Sequence, residues 1–336
     1  MTGWYRLRAG WGLLSRRRIH KRGVEVATRA VKRRRLFKFG NRGGLAGYLF
    51  VAPSIVFLLV FVILPIFLAF YYSLTDYDLM RSPRFAGFKN YLNLFDDVRY
   101  PRGVANTLYF AAATVPGGVV TSLLLAMLVN RQIRGIYTFR ALFYLPVVSS
   151  FVSVSLIWLW MYEPQFGLLN DGFEALGLPR LKWLRSAQTA MLGIIIMSVW
   201  KNMGLNMVIY LAGLQGIPPH LYEAAEIDGA GRVSTFFRIT LPLLAPTTFF
   251  VVIVYFIGAM QMFVQVFVMT SSTGVGSNET YGGPLDSTIT VVTLIYSNAF
   301  HYLKMGYAAA MSFVLFLVIS VITVINARLL RYDVGY

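Results

Sequence analysis

The chain has 336 residues, 57% of them hydrophobic and 13% charged, a balance that suits a polytopic membrane protein and excludes one or two ordinary soluble domains. It has no cysteine, so disulfides, thiolate nucleophiles and cysteine metal sites are excluded, and its three scattered histidines make a metal cluster unexpected. The formal charge of +17 would suit a nucleic-acid partner, but fourteen of the 31 Lys and Arg fall in the first 42 positions, where Glu25 is the one acid. The excess belongs to a tail, no folded nucleic-acid reader follows it, and no nucleic-acid partner is expected.

Within that tail, residues 1–44, Arg16-Arg17-Arg18 and Arg33-Arg34-Arg35 either touch anionic lipid headgroups, at roughly 1 kcal/mol per charge, or only fix topology. The basic stretch is too long for a signal peptide and lacks the short apolar core and small-residue cleavage site of one. After Gly43-Gly44 an apolar run over 48–72 is long enough to cross a hydrocarbon core of about 30 Å at 1.5 Å per residue, with Pro53 and Pro65 expected to bend it. Further runs at 106–129, 139–161, 190–214, 247–269 and 305–327 complete an all-α fold of about six spans.

Basic residues resist translocation and therefore set orientation. With the tail inside, the inner segments hold twenty-one Lys and Arg and the outer segments nine. Both termini are then cytoplasmic and share a side with the polar loop 215–246. The outer segments 75–103, 163–189 and 270–304 either cap the bundle or dock a soluble partner. Residues 45–103 form a first span with its external loop, and 104–330 form the core domain.

The stretch 223–242 is a polar island between apolar runs, and it reads as two short helices. Pro218-Pro219 suits a helix start because the first turn needs no N–H there, and Glu223, Glu226 and Asp228 follow. Gly229 and Gly231 stop that helix. From Arg232 a second one carries Val233, Phe236, Phe237, Thr240 and Leu241 on a single stripe until Pro242. Such an elbow either packs on its own protein or grips another.

Glu223-Ala224-Ala225, three residues, Gly229, nine residues, then Ile239-x-Leu241-Pro242 resembles the cytoplasmic signature of permease subunits of binding-protein-dependent ABC importers. Leu145-Pro146, Phe166-Gly167-Leu168-Leu169-Asn170, Tyr210 to Pro218 and Gly282-Gly283-Pro284 look like the carbohydrate-importing branch. The resemblance runs from about Leu45 to Arg328. It implies a type I importer permease fold, a second and unlike permease as partner, two ATP-binding subunits, a solute-binding protein outside, and a place in the bacterial inner membrane. It also implies that Glu223, Ala224, Ala225, Asp228, Gly229, Phe236 and Phe237 couple the chain to an ATPase. The sequence has no phosphate loop of its own, so ATP and its magnesium would sit on those partners and no cofactor on this chain.

Lys201 is the one formal charge deep in a proposed span, where an unpaired ammonium costs several kcal/mol, so it marks a pathway by default. Trp200 adds an aromatic face, and Asn202 and Asn206 sit four apart on one side of the helix. The next span offers Tyr255, Gln261, Met262 and Gln265. Amides beside aromatics suit a sugar, which needs paired hydroxyls and ring faces for its C–H surface. The same amides can simply bridge helices, at an average of about 0.6 kcal/mol. In maltose-type permeases the sugar contacts come from the two matching helices, so the resemblance implies Trp200, Lys201, Asn202, Tyr255 and Met262 by position. Lys201 could instead select an acidic sugar or glycerol phosphate, or be held by a backbone carbonyl. An ion-coupled transporter would need acids within the spans, and an intramembrane enzyme a base or nucleophile there; the spans hold no Asp or Glu, and no histidine, acid pair or cysteine to serve as base or nucleophile, so no catalytic residue is expected.

Overall fold

The computed structural model describes residues 42–131, 134–271 and 281–329, so most of the basic tail lies outside the described residues. The chain divides after Pro65 into two units, Met1–Pro65 and Ile66–Tyr336. In the first, α1 (Arg42–Leu58) leads into a widened helical turn, Leu59–Ile63, just ahead of Pro65, which has no N–H to give to the preceding turn. Large apolar side chains from Tyr48 to Val62 are exposed, as on a helix solvated by lipid. Helix α2 (Leu64–Ser73) completes an unbroken span over Gly47–Ser73, so Pro53 sits within ordinary helix, the widened turn precedes Pro65, and neither proline breaks the span.

The second unit continues with a two-residue hairpin, β1 (Thr75–Asp76) antiparallel to β2 (Arg84–Phe85), and then the amphipathic α3 (Lys89–Asp96). Asn90 on α3 fastens the hairpin by donating to the carbonyls of Ser73 at 2.9 Å and Thr75 at 2.8 Å.

The bundle itself is made by α4 (Arg99–Val129), α5 (Ile136–Val148), α6 (Phe151–Met161), the short α7 (Leu168–Ala175) and α8 (Ala190–Gln215). After these come α9 (Pro219–Ile227), α10 (Arg232–Thr235), α11 (Leu241–Leu243), α12 (Ala245–Met260), α13 (Val264–Ser271), α14 (Val291–Tyr296) and α15 (Met305–Leu329). Among the described residues four helices are long and apolar enough to cross a membrane, and two bent pairs raise the number to six if each is one span.

The bent pairs differ from the straight spans expected. The third span breaks at Ser149-Ser150 and turns by 100° between α5 and α6. Ser150 makes the second half possible, because its hydroxyl accepts from Val152 N at 3.2 Å and caps α6. The fifth span, expected over 247–269, ends at Met260 and is instead paired across a 65° bend with the preceding helical stretch Arg232–Leu243. At the break the Met262 side chain is buried and Thr290 Oγ1 donates to its freed carbonyl at 3.4 Å, after which α13 resumes.

Of the three apolar clusters among the described residues of the second unit, two are large. One gathers Phe110 and Val115 of α4, Val154 and Trp158 of α6, Ile194 and Met197 of α8, and Tyr255 of α12. The other gathers Leu123 and Val129 of α4, Ile136 of α5, Met207 and Tyr210 of α8, and Val251 of α12. Helix α12 approaches both α4 and α8 closely because small residues face it: a side chain at Gly118 of α4 would enter the Tyr255 ring, and one at Gly213 of α8 would come 2.7 Å from Thr247 Oγ1. Hydroxyls within the spans return to their own helix, as Thr107 does to the carbonyl of Gly103 and Thr114 to that of Phe110, both at 2.7 Å.

Candidate functional site: a central cavity and a surface elbow

Against the first of these clusters lies a cavity of about 300 Å³, lined from α4, α6, α8, α12 and α13. Six of the eight residues expected to line a solute pathway do not all arrive by one route. Asn202 and Asn206 come from one face of α8, Tyr255 from α12, and Gln261, Met262 and Gln265 from the break and the start of α13. The break that shortened the fifth span is what aims the two glutamines at the same space as the two asparagines.

The hydrogen bonds inside the cavity are incomplete. Asn202 Nδ2 donates to the Ser198 carbonyl one turn back at 2.9 Å, and Tyr255 Oη reaches the same carbonyl at 3.5 Å. The Asn206 amide nitrogen and the Ser198 hydroxyl are both buried and have no protein partner. Two orphaned polar groups facing one hollow are what a hydroxylated solute or a water would satisfy, since leaving each unpaired costs about 1–3 kcal/mol. Ser198 was not legible as a site residue: a serine in an apolar span ordinarily bonds back to its own helix, as its neighbours on α4 do. Among the described residues no Lys, Arg, Asp or Glu lines the cavity.

The other two expected pathway residues lie elsewhere. Trp200 packs edge-on against Trp158, with ring centroids 5.5 Å apart, and is not in the lining. Lys201 is 3% exposed and donates its ammonium to the carbonyls of Pro146 at 2.9 Å, Val147 at 3.4 Å and Ser149 at 2.9 Å. It also stands 4.4 Å from the centre of the Phe151 ring. Of the two uses the sequence allowed for this lysine, solute charge or backbone carbonyl, the geometry shows the second. A charged donor contributes about 1.5–3 kcal/mol per hydrogen bond, enough for three such bonds to offset a buried ammonium.

The elbow is built as a helix stop. Pro219 opens α9, and its C-terminus is closed by Gly229 N donating to Glu226 O at 3.1 Å and Ala230 N donating to Ala225 O at 2.9 Å. That paired pattern needs a left-handed residue, and Gly229 supplies φ +74°. Tyr222 Oη and Thr240 Oγ1, 3.2 Å apart, tie the two arms together. The widened turn Phe236–Thr240 lies between α10 and α11.

The seven residues expected to couple the elbow to a partner divide by exposure. Glu223, Ala224, Asp228 and Gly229 are on the surface, and Phe237 is 60% exposed. Ala225 is buried, and Phe236 is half-buried against the second core with its ring edge-on to Phe237. Ile227, 87% exposed, and Val233, 72% exposed, extend the apolar part of the surface beyond those seven.

The segment 163–189 is closely bonded within itself. Asn170, fully buried, donates to the carbonyls of Leu181 and Pro164 and accepts from Leu181 N and from Trp183 Nε1 at 3.0 Å. Arg180 bridges Glu174 and Asp171, and the hydrogen bonds its guanidinium donates to Glu174 are the main cause that raises it above the ordinary value. Among the described residues there is no group of His, Cys, Asp and Glu able to hold a metal.

A bundle of broken and unbroken spans around an uncharged, under-bonded cavity, with a helix–glycine–helix elbow beside it, defines a multi-pass membrane transport component. The chain belongs to the family described as the binding-protein-dependent transport system inner membrane component, which matches residues 98–332. It is an ABC transporter permease subunit and not itself an enzyme. The probable ABC transporter permease protein YesP of Bacillus subtilis (strain 168) is 33% identical over 310 residues, 91% of this chain and 96% of that one. The sn-glycerol-3-phosphate transport system permease protein UgpA of Yersinia pestis is 34% identical over 291 residues, 86% of this chain and 95% of that one. A crystal structure of a bacterial alginate ABC transporter in complex with an alginate pentasaccharide-bound periplasmic protein contains a chain similar to this one at a TM-score of 0.73 and 25% identity, over 88% of this chain and 97% of that one.

Proposed function

We propose that this subunit passes a sugar or oligosaccharide across the bacterial inner membrane by alternating access. Asn202, Asn206, Tyr255, Gln261, Met262 and Gln265, together with Ser198, form its part of the pathway. The observation that carries this is that the unpaired Asn206 amide nitrogen and the unpaired Ser198 hydroxyl belong to residues lining one cavity without formal charge among its described lining residues. A polyol supplies hydroxyls to both. Trp200 and Lys201 act from behind the wall and do not touch the solute.

In this proposal both termini and the elbow are cytoplasmic, in keeping with the distribution of Lys and Arg. The exposed residues Glu223, Ala224, Asp228 and Phe237 meet an ATP-binding subunit, with Ile227 and Val233 completing the contact, while Ala225, Gly229 and Phe236 hold the elbow's shape. ATP and magnesium sit on two such subunits, a second and unlike permease closes the pathway, and a solute-binding protein delivers from the other side. The alginate transporter's complex with a periplasmic protein supports the last of these partners. Closure of the ATPase pair must favour one state of the bundle over the other, since only a difference in interaction between states moves such an equilibrium.

An acidic solute is the second proposal, favoured by the sn-glycerol-3-phosphate and alginate named for the similar proteins. The occupied Lys201 and the uncharged lining weigh against it. The test is reconstitution with the partner subunits and the binding protein. Replacing Asn202 or Gln261 by Leu is expected to weaken sugar-stimulated ATP hydrolysis with assembly intact, and unchanged stimulation across neutral and acidic sugars refutes the pathway.

A further inference from the structure

We propose that Lys201 is a positioning residue: it clamps the elbow of the broken third span and thereby places Phe151 in the cavity wall. The inference rests on the assignment of that cavity to the solute pathway. It goes beyond it by giving the buried charge a role exerted through another residue.

The geometry is specific to a helix end. Helix α5 stops at Val148, and its last turn leaves carbonyls that no following N–H can meet, because the chain turns by 100° at Ser149-Ser150. The Lys201 ammonium takes three of the carbonyls around that end, those of Pro146, Val147 and Ser149. A cation there also complements the negative end of the helix dipole. One turn along α8, Gly204 removes the obstacle to this approach: a Cβ at that position would land on the Phe143 carbonyl oxygen of α5. Lys201 and Gly204 are three residues apart and so share a face of α8, one letting α5 come close and the other fastening it.

The same ammonium faces the Phe151 ring from 4.4 Å, and Phe151 is a cavity-lining residue at the start of α6. One cation therefore touches both sides of the bend, the carbonyls that end α5 and the ring that begins α6. Asn202, the next residue on α8, lines the cavity itself. The clamp thus joins the wall contributed by α6 to the wall contributed by α8.

The absence of native cysteine makes the test clean. Spin labels on cysteines introduced at Tyr137 and Trp160, both exposed and on opposite arms of the bend, report the elbow in the full chain assembled with its partners in lipid. Lys201→Met is expected to broaden the distance distribution, and Lys201→Arg, which keeps charged donors, to restore it. An unbroadened distribution with Met overturns the proposal. Should Lys201→Met fail to reach the membrane, Lys201→Gln, whose shorter amide reaches fewer carbonyls, is expected to broaden the distribution as well, and no change there overturns it equally.

The second readout is the rate at which a water-soluble thiol reagent modifies Asn202→Cys. Lys201→Met and Phe151→Ala are each expected to change it by roughly tenfold, and the double variant by no more than either alone. Independent, multiplying effects show that Lys201 does not act through Phe151 and overturn the proposal. Neither readout uses solute or ATP turnover. The clamp can therefore fail while the transport function stands, and failure of sugar-stimulated hydrolysis leaves the clamp untouched.

Discussion

Replacement of Gly229 separates two ways in which the elbow could depend on a small residue. Its φ of +74° lies where an L side chain costs about 1–2 kcal/mol, while nothing stands within 4 Å of the position a Cβ would take. Within this chain, then, the penalty for Gly229→Ala is purely conformational and corresponds to a roughly five- to thirty-fold loss of elbow in the closed shape. Asparagine visits the left-handed region far more readily, so Gly229→Asn is expected to keep most of the function. Aspartate shares part of that tolerance but adds charge to a surface that already carries Glu223, Glu226 and Asp228, so Gly229→Asp should abolish uptake while the protein stays in the membrane. The assay is retention of the ATPase subunits on tagged chain, followed by stimulated ATP hydrolysis in proteoliposomes. If Asn is as damaging as Ala, the glycine matters for room against the partner and not for its backbone, and the reasoning from φ is refuted.

Three further outcomes follow from particular contacts. Asn206→Leu removes an amide nitrogen that has no protein partner, so thermal stability in detergent should hold while sugar-stimulated hydrolysis falls; a large stability loss would show that the amide is structural. Gly204→Ala drives a methyl into the Phe143 carbonyl and is expected to cost about 1–3 kcal/mol, read as a lowered unfolding temperature, and an unshifted midpoint would mean that α5 yields freely. Asn170→Ala orphans the buried Trp183 Nε1 together with the backbone groups of Leu181 and should destabilise by at least about 2 kcal/mol, seen as faster proteolysis within 163–189; unchanged protection would contradict its role as the hub of that segment.

Much of this fold is legible because a lipid-solvated helix announces itself by length and apolarity alone. The runs at 48–72, 106–129, 190–214 and 305–327 appear within several residues of the observed helices, the largest difference being α4, which starts at Arg99. Where the sequence misleads, the cause is a tertiary partner. Ser149-Ser150 is no stronger a breaker than other small polar pairs, and the 100° turn there stands because Lys201, more than fifty residues away, meets the carbonyls it frees. The stop at Met260 likewise depends on Thr290.

The site shows the same division. Asn202 and Asn206 were predictable as neighbours because helical periodicity puts residues four apart on one face. That Gln261 and Gln265 would join them required the break no local signal gives. Trp200 and Lys201 adjoin Asn202 in sequence, but a helix rotates by about 100° per residue, so adjacency placed them against other helices. In the elbow, proline and glycine fixed where α9 starts and stops. Which of its residues turn outward was decided by the second core, which took Phe236 and left Phe237 exposed.

The separation between the two large apolar clusters carries a mechanical consequence. Each cluster draws on α4, α8 and α12, yet the girdle between them on α8, from Ser198 to Asn206, is rich in amide, hydroxyl and ammonium groups. Water that enters at this girdle meets groups that welcome it, and of the two large clusters it is the first, through Phe110, Tyr255, Ala259 and Met262, that gives side chains to the cavity wall. The second cluster lends no described residue to that wall, so its share of the cohesion stays packed away from the waterline while the cavity is wet.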